Sequence, residues 1–257
     1  MSSVSIQTQY VHLESGGVTL PAYRAMPAQS PTAGVLVLQE IFGVNGHIRD
    51  VTERLARQGY AAIAPALYQR QAADFEVGYT PEDIQIGREY KMRTTASELL
   101  QDAQAAVDHL HNKLGTGQKI GCIGFCFGGH VAYLAATLPA IAATASFYGA
   151  GIATWCPGEV QPVAQPAAQP AAQPTVTRTP QISGELYGFF GKDDTSIPET
   201  EVNQIEAALK AAGTPHRIFR YDNAGHGFFC DRRASYRPEA AAAAWTQVLD
   251  LFGRALQ

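Results

Sequence analysis

Lys119-Ile120-Gly121-Cys122-Ile123-Gly124-Phe125-Cys126-Phe127-Gly128-Gly129-His130 is the stretch that decides how this chain folds. An apolar run of strand character enters Gly124-Phe125-Cys126-Phe127-Gly128, and a helical pattern starts directly afterwards. This is the strand–turn–helix arrangement of a nucleophile elbow, with cysteine in the place of the commoner serine. A turn tight enough to lift one side chain above a sheet presses its neighbours on either side against the crossing strand and helix. Glycine is therefore expected at 124 and 128. The helix N-terminus aims its dipole at Cys126 and favours a thiolate, and the amide of Phe127 is placed to donate to an oxyanion. Cys122, two residues before Gly124 on the same apolar run, reads as core.

Outward from the elbow, strand-like runs lie at 34–38, 60–64, 119–125, 143–148, 185–190 and 216–221, with helical patterns at 94–110, 130–138, 199–212 and 238–256. A further helical pattern passes through Val51, Leu55 and Ala56 and ends near Gly59. Runs at 4–13 and 18–26 flank Ser15-Gly16-Gly17, a hairpin signal. Positions 66–92 read as irregular, with Pro81 and the cluster Arg88-Glu89-Tyr90-Lys91. Strands alternating with helices imply an α/β fold. Its sheet is central and mostly parallel, with helices on both faces and an antiparallel hairpin at the N-terminus. The chain is expected to form one domain over 1–257, interrupted at about 160–175 by a Pro/Ala/Gln-rich low-complexity insertion that repeats Ala-Gln-Pro. Recurrent proline favours extended, solvated backbone, so a surface loop is expected there.

Two more segments complete a catalytic set in the chain order nucleophile, acid, histidine. Gly191-Lys192-Asp193-Asp194-Thr195-Ser196-Ile197-Pro198 is an acid-bearing loop after one strand, and Asn223-Ala224-Gly225-His226-Gly227-Phe228 sets a histidine in a glycine-flanked loop after the next. Loops at the carboxyl ends of parallel strands are where such sheets place their sites. The residues alone leave Asp193 and Asp194 both open as the acid. Together the three segments point to an α/β-hydrolase fold.

With these segments in view, the chain resembles the dienelactone hydrolase family. The resemblance runs from Leu38-Gln39-Glu40-Ile41-Phe42-Gly43 through 124–129 and 191–198 to 224–228. It implies Cys126 as nucleophile, His226 as base and Asp194 as acid, the aspartate standing four residues before Pro198. It further implies that Glu40 takes the thiol proton when substrate binds, and that the amide of Ile41 completes an oxyanion hole with that of Phe127. In that family an arginine four residues after the histidine helps to hold the substrate carboxylate; here Cys230 occupies the position, with Arg232 and Arg233 displaced from it. Arg88, Tyr90, Arg93, Tyr148 and Cys230 are the candidate substrate-binding positions. The implied activity is hydrolysis of an ester or lactone, of the carboxymethylenebutenolide kind, through an acyl-thioester. The same residues could serve a thioester or amide, or a hydrolase scaffold could bind a ligand without turning it over.

Composition agrees with a folded globular chain: 257 residues, 46% hydrophobic and 16% charged, with a net charge of −4. Basic residues are scattered, so no nucleic-acid partner is expected. No apolar run reaches the roughly 18 residues of a membrane helix, and the first residues lack a basic patch followed by an apolar stretch, so a cytoplasmic location is expected. Cys122, Cys126, Cys156 and Cys230 show no paired metal or redox spacing. Neither a metal nor a cofactor is expected, and the assembly is expected to be a monomer or small homo-oligomer.

Overall fold

The computed structural model describes residues 5–115, 117–158 and 173–257. The strands are β1 (Ile6–Ser15), β2 (Val18–Pro27), β3 (Gly34–Leu38), β4 (Ala61–Pro65), β5 (Ile120–Phe125), β6 (Ile141–Phe147), β7 (Glu185–Gly191) and β8 (His216–Tyr221). They make one sheet in the order β1-β2-β4-β3-β5-β6-β7-β8. The β1–β2 hairpin and the β2–β4 pair are antiparallel, and β4 through β8 run parallel. Every residue of β3 and β5 is buried, the pattern of strands covered on both faces. Successive residues of β3 divide between two cores. Val35 and Val37 pack with helices α1 (Gly46–Arg57) and α6 (Pro238–Ala255), whereas Leu36 and Leu38 pack with α3 (Ala96–Leu114). The period of two in the sheet thus builds the layers on either side.

The expected alternation holds, with three differences. Helix α2 (Pro81–Met92) stands where irregular chain was expected. Pro81 occupies the first helical turn, where its missing N–H costs nothing. Thr80 and Asp83 close a reciprocal capping box around it. Helix α4 (Phe127–Ala135) begins three residues earlier than the helix expected from 130, directly on the elbow. Gly128 and Gly129 lower helix propensity there, and close packing overrides it. A 3-10 helix over Thr175–Gln181 follows no pattern expected from the sequence, and α5 (Glu199–Ala212) precedes β8. Most of the insertion at about 160–175 lies outside the described residues. No helix among the described residues is long and apolar enough to cross a membrane.

Cys122 lies fully buried on β5, and burial pushes its thiol well above the ordinary range. Cys122→Ala is expected to lower stability by about 1 kcal/mol by leaving a small void, while turnover per folded molecule stays at the wild-type level. Urea unfolding beside active-site titration separates the two effects.

Candidate active site

Strand register sets the site. Leu38 of β3 lies opposite Gly124 of β5, so Glu40 and Cys126, each two residues further on, leave the same edge of the sheet side by side. Cys126 turns the chain at φ 55°, ψ −118°, a left-handed backbone region that costs a non-glycine residue on the order of 1–3 kcal/mol. A Cβ on Gly124 would overlap the carbonyl oxygen of Gly128, and one on Gly128 would overlap the carbonyl oxygens of Leu38 and Gln39. The glycines are needed because helix, strand and the Glu40 segment meet there. Gln39 fixes that segment: its side-chain oxygen accepts from the amide of Leu67 at 3.0 Å, and its amide group donates to the Glu40 carbonyl at 3.3 Å.

The acid and histidine loops meet in the same way. Gly191 pairs with Tyr221 across β7 and β8, and beyond that point the amide of Asp193 donates to the Ala224 carbonyl at 3.0 Å. Asp194 is buried and Asp193 exposed. The Asp194 carboxylate accepts from the Ser196 amide at 2.8 Å and from His226 Nδ1 at 2.8 Å. His226 and Cys126 share the cleft and act on each other electrostatically. Burial opposes ionisation of Cys126 and the Glu40 charge adds to that, but His226, above all through its charge, brings the thiol below its ordinary value. Burial likewise opposes the His226 cation, and Cys126 and Asp194 outweigh it, raising the imidazole to about 10. The electrostatics therefore favour a thiolate–imidazolium pair. A second buried histidine, His130, is a packing element: its two ring nitrogens meet the Ala150 carbonyl at 2.9 Å and the Thr175 hydroxyl at 2.7 Å.

The profile of the Dienelactone hydrolase family matches residues 20–256. The chain belongs to the dienelactone hydrolase family. A Synechocystis sp. protein named as a carboxymethylenebutenolidase is 50% identical over 254 residues, covering 97% of this chain and 98% of that one. The carboxymethylenebutenolidase of Pseudomonas putida is 27% identical over 253 residues, covering 95% of each chain. A Klebsiella pneumoniae crystal structure described as a dienelactone hydrolase superposes with a TM-score of 0.81 at 31% identity, covering 97% of this chain and 99% of that one.

The cleft at Cys126 in this member of the dienelactone hydrolase family has a volume of about 270 Å³, and Cys126, His226, Ile41 and Phe127 all line it. Arg88, Lys91 and Arg233 complete the wall. Helix α2 explains which of its residues reach the cleft: Ile84, Arg88 and Lys91 repeat at helical spacing on one face. Tyr90 points elsewhere, into Phe75 and Tyr68, and Arg93 stacks over the Tyr90 ring. Neither lines the cleft, which corrects the expectation for both. Tyr148 is also out of reach of a ligand. It is fully buried at φ 36°, with its ring 5.2 Å edge-on behind His226. Cys230 is buried outside the cleft and donates its thiol to the Tyr79 hydroxyl at 3.4 Å.

Lys91 and Arg233 are the charged cleft residues that sequence reasoning missed. Lys91 Nζ sits 4.8 Å over the Trp155 ring, and burial lowers its pKa. Arg233 reaches the place left by Cys230, because Gly227 offers no side chain in its path; a Cβ there would press on the guanidinium. It lies over the rings of Phe42 and Tyr79 and donates to Glu40 Oε1 at 3.0 Å. Glu40 is completely buried, and burial raises its pKa against the pull of Arg233. Its second oxygen has no hydrogen-bond partner among the described residues, so Glu40 is bonded to Arg233 and not to Cys126.

Proposed function

We propose that this chain hydrolyses a small anionic ester or lactone through a Cys126 acyl-thioester. The observation that carries the reading is a strained cysteine, backed by His226 and Asp194, in a small cleft walled by Arg88, Lys91 and Arg233. The Cys126 thiolate attacks the acyl carbon, and the amides of Ile41 and Phe127 hold the oxyanion. The imidazolium of His226 protonates the departing alkoxide, which in a lactone stays tethered to the acyl group. His226, now neutral, takes a proton from water as it attacks the thioester; the carboxylate product leaves and the thiolate–imidazolium pair returns. Glu40 is held in its pair with Arg233. A substrate carboxylate that engages Arg233 frees Glu40 to take the proton of any Cys126 still in the thiol form, the role implied by the family.

Names of relatives support the lactone class, since carboxymethylenebutenolidase denotes an enzyme acting on an unsaturated lactone bearing a carboxymethylene group. Charge supports the anion, because three cations face the cleft and each charged hydrogen bond contributes about 1.5–3 kcal/mol. Arg88 is exposed and makes no ion pair recorded among the described residues, so its removal leaves the fold intact. Arg88→Met is expected to raise KM for a carboxylate-bearing lactone about tenfold and to leave KM for a neutral aryl ester within twofold. Equal effects on both substrates would remove the anion from the proposal, and absence of turnover of either would remove the hydrolysis.

A further inference from the structure

Behind the cleft lies a second cluster, of which the reaction uses Glu40 alone. Glu40, His47 and Cys230 each offer one donor atom, and the three atoms lie within 4.8 Å of one another. Their exposures are 0%, 2% and 0%, so none of them is satisfied by bulk solvent. Two of the three are orphans: Glu40 Oε2 and His47 Nε2 have no hydrogen-bond partner among the described residues. Leaving a polar atom buried and unpaired costs about 1–3 kcal/mol, more for a charged group, so two buried residues that each carry an orphan atom, clustered with a thiol, call for a ligand. One carboxylate, one imidazole and one thiol form a mixed oxygen, nitrogen and sulfur set, which suits a borderline-soft divalent ion.

We propose that Glu40, His47 and Cys230 form a transition-metal site of the zinc kind beside the nucleophile, and that an ion bound there inhibits hydrolysis by capturing Glu40. Tetrahedral zinc with bonds of about 2.0–2.3 Å places its ligand atoms about 3.3–3.8 Å apart, so a separation within 4.8 Å closes by small side-chain shifts. Binding replaces the Cys230 S–H bond with an S–metal bond and releases that proton to solvent; no electron is transferred. A second-shell group is at hand: the Tyr79 hydroxyl accepts from Cys230 Sγ at 3.4 Å and from Asn45 Nδ2 at 3.0 Å, and once the thiol proton is gone it can turn its own proton to the thiolate. Of the three residues, His47 also lines an outer hollow of about 360 Å³, together with Arg54, Asp231, Tyr236 and Trp245, and this is the side from which an ion would approach. Arg54, Arg232 and Arg233 all act on His47 electrostatically, which holds affinity down and makes the ion exchangeable. The residues come from three separate segments of the chain, which is why no ligand spacing marks the site in the sequence.

Metal binding does not depend on the proposed hydrolysis, whereas the inhibition does, and the experiment keeps them apart. Cys126→Ser, which lacks the cleft thiol, is titrated with Co²⁺. One ion per chain and a thiolate-to-cobalt charge-transfer band are expected, and both are lost on adding Cys230→Ser. A band seen in wild type but not in Cys126→Ser would assign the metal to the cleft and overturn the site. Wild-type hydrolysis is then followed with Zn²⁺. Inhibition reversed by a chelator is expected, and His47→Gln should need at least tenfold more Zn²⁺ while keeping its basal turnover. Unchanged zinc sensitivity in His47→Gln would overturn the coupling. If that variant fails to show the wild-type melting temperature, the same comparison is made with Cys230→Ser.

Discussion

Cys126→Ala is expected to lower hydrolysis about 10⁴-fold or more, to the background of the assay, with the fold and melting temperature kept. The thiol stands at the mouth of the elbow and lines the cleft, so its loss opens no core void. What disappears is the thiol whose anion His226 stabilises for attack on an acyl carbon. The pH dependence of wild type follows from the same pair. The rate should rise with pH as the thiol ionises, below the ordinary thiol value of 9.0. It should fall again as pH passes about 10, where His226 loses the proton that the leaving alkoxide needs. The two limbs belong to the pair as a unit. Alkylation by iodoacetamide against pH, compared between wild type and Cys126→Ala, isolates the thiol limb. An alkylation midpoint at or above the ordinary thiol value would remove the thiolate–imidazolium pair from the mechanism, and appreciable turnover in Cys126→Ala would remove the cysteine.

The parts of this site that were legible in the sequence are those that local backbone chemistry encodes. Gly124 and Gly128 are forced by close backbone approach, so the elbow is written in adjacent residues. His226 and Asp194 follow directly on strands, and strand ends can be read from apolar runs. The cationic wall was legible only in part, for two reasons. Reading 66–92 as irregular hid helix α2, and without helical spacing nothing groups Ile84, Arg88 and Lys91 on one face or sends Tyr90 and Arg93 away from it. Tyr148 was misplaced because a strand-end residue can face either layer, and here φ 36° turns it into the core. The second reason is Arg233. Family spacing put the cation at the position of Cys230, but a side chain three residues later reaches the same space across Gly227. That substitution is tertiary, so spacing along the chain does not reveal it. It also leaves Cys230 free to face Glu40 and His47.

Asp194→Asn is expected to cut kcat about 10³–10⁴-fold with little change in stability. The carboxylate makes two bonds of different kinds: Oδ1 accepts from the Ser196 amide at 2.8 Å, and Oδ2 accepts from His226 Nδ1 at 2.8 Å. An asparagine has one acceptor and one donor group to fill these places. The Ser196 N–H can only donate, so the amide oxygen is kept there and the NH₂ group is turned to His226. That forces Nδ1 to accept, moves the remaining ring proton to Nε2, and withdraws the negative charge that helps raise the imidazole. His226 is then in the wrong tautomer to take a proton from Cys126, and the imidazolium that stabilises the thiolate is lost. Asp193→Asn supplies the control. Asp193 is exposed, and its backbone amide, which the substitution keeps, makes the bond to Ala224; its rate should stay within about twofold, as for a surface change. The distinguishing measurement is the alkylation profile of Cys126 in the two variants. It should move to higher pH in Asp194→Asn and stay in place in Asp193→Asn. The reverse outcome would make Asp193 the acid, and a slow Asp194→Asn enzyme with an unmoved thiol would mean that the aspartate acts on the transition state without setting the resting pair.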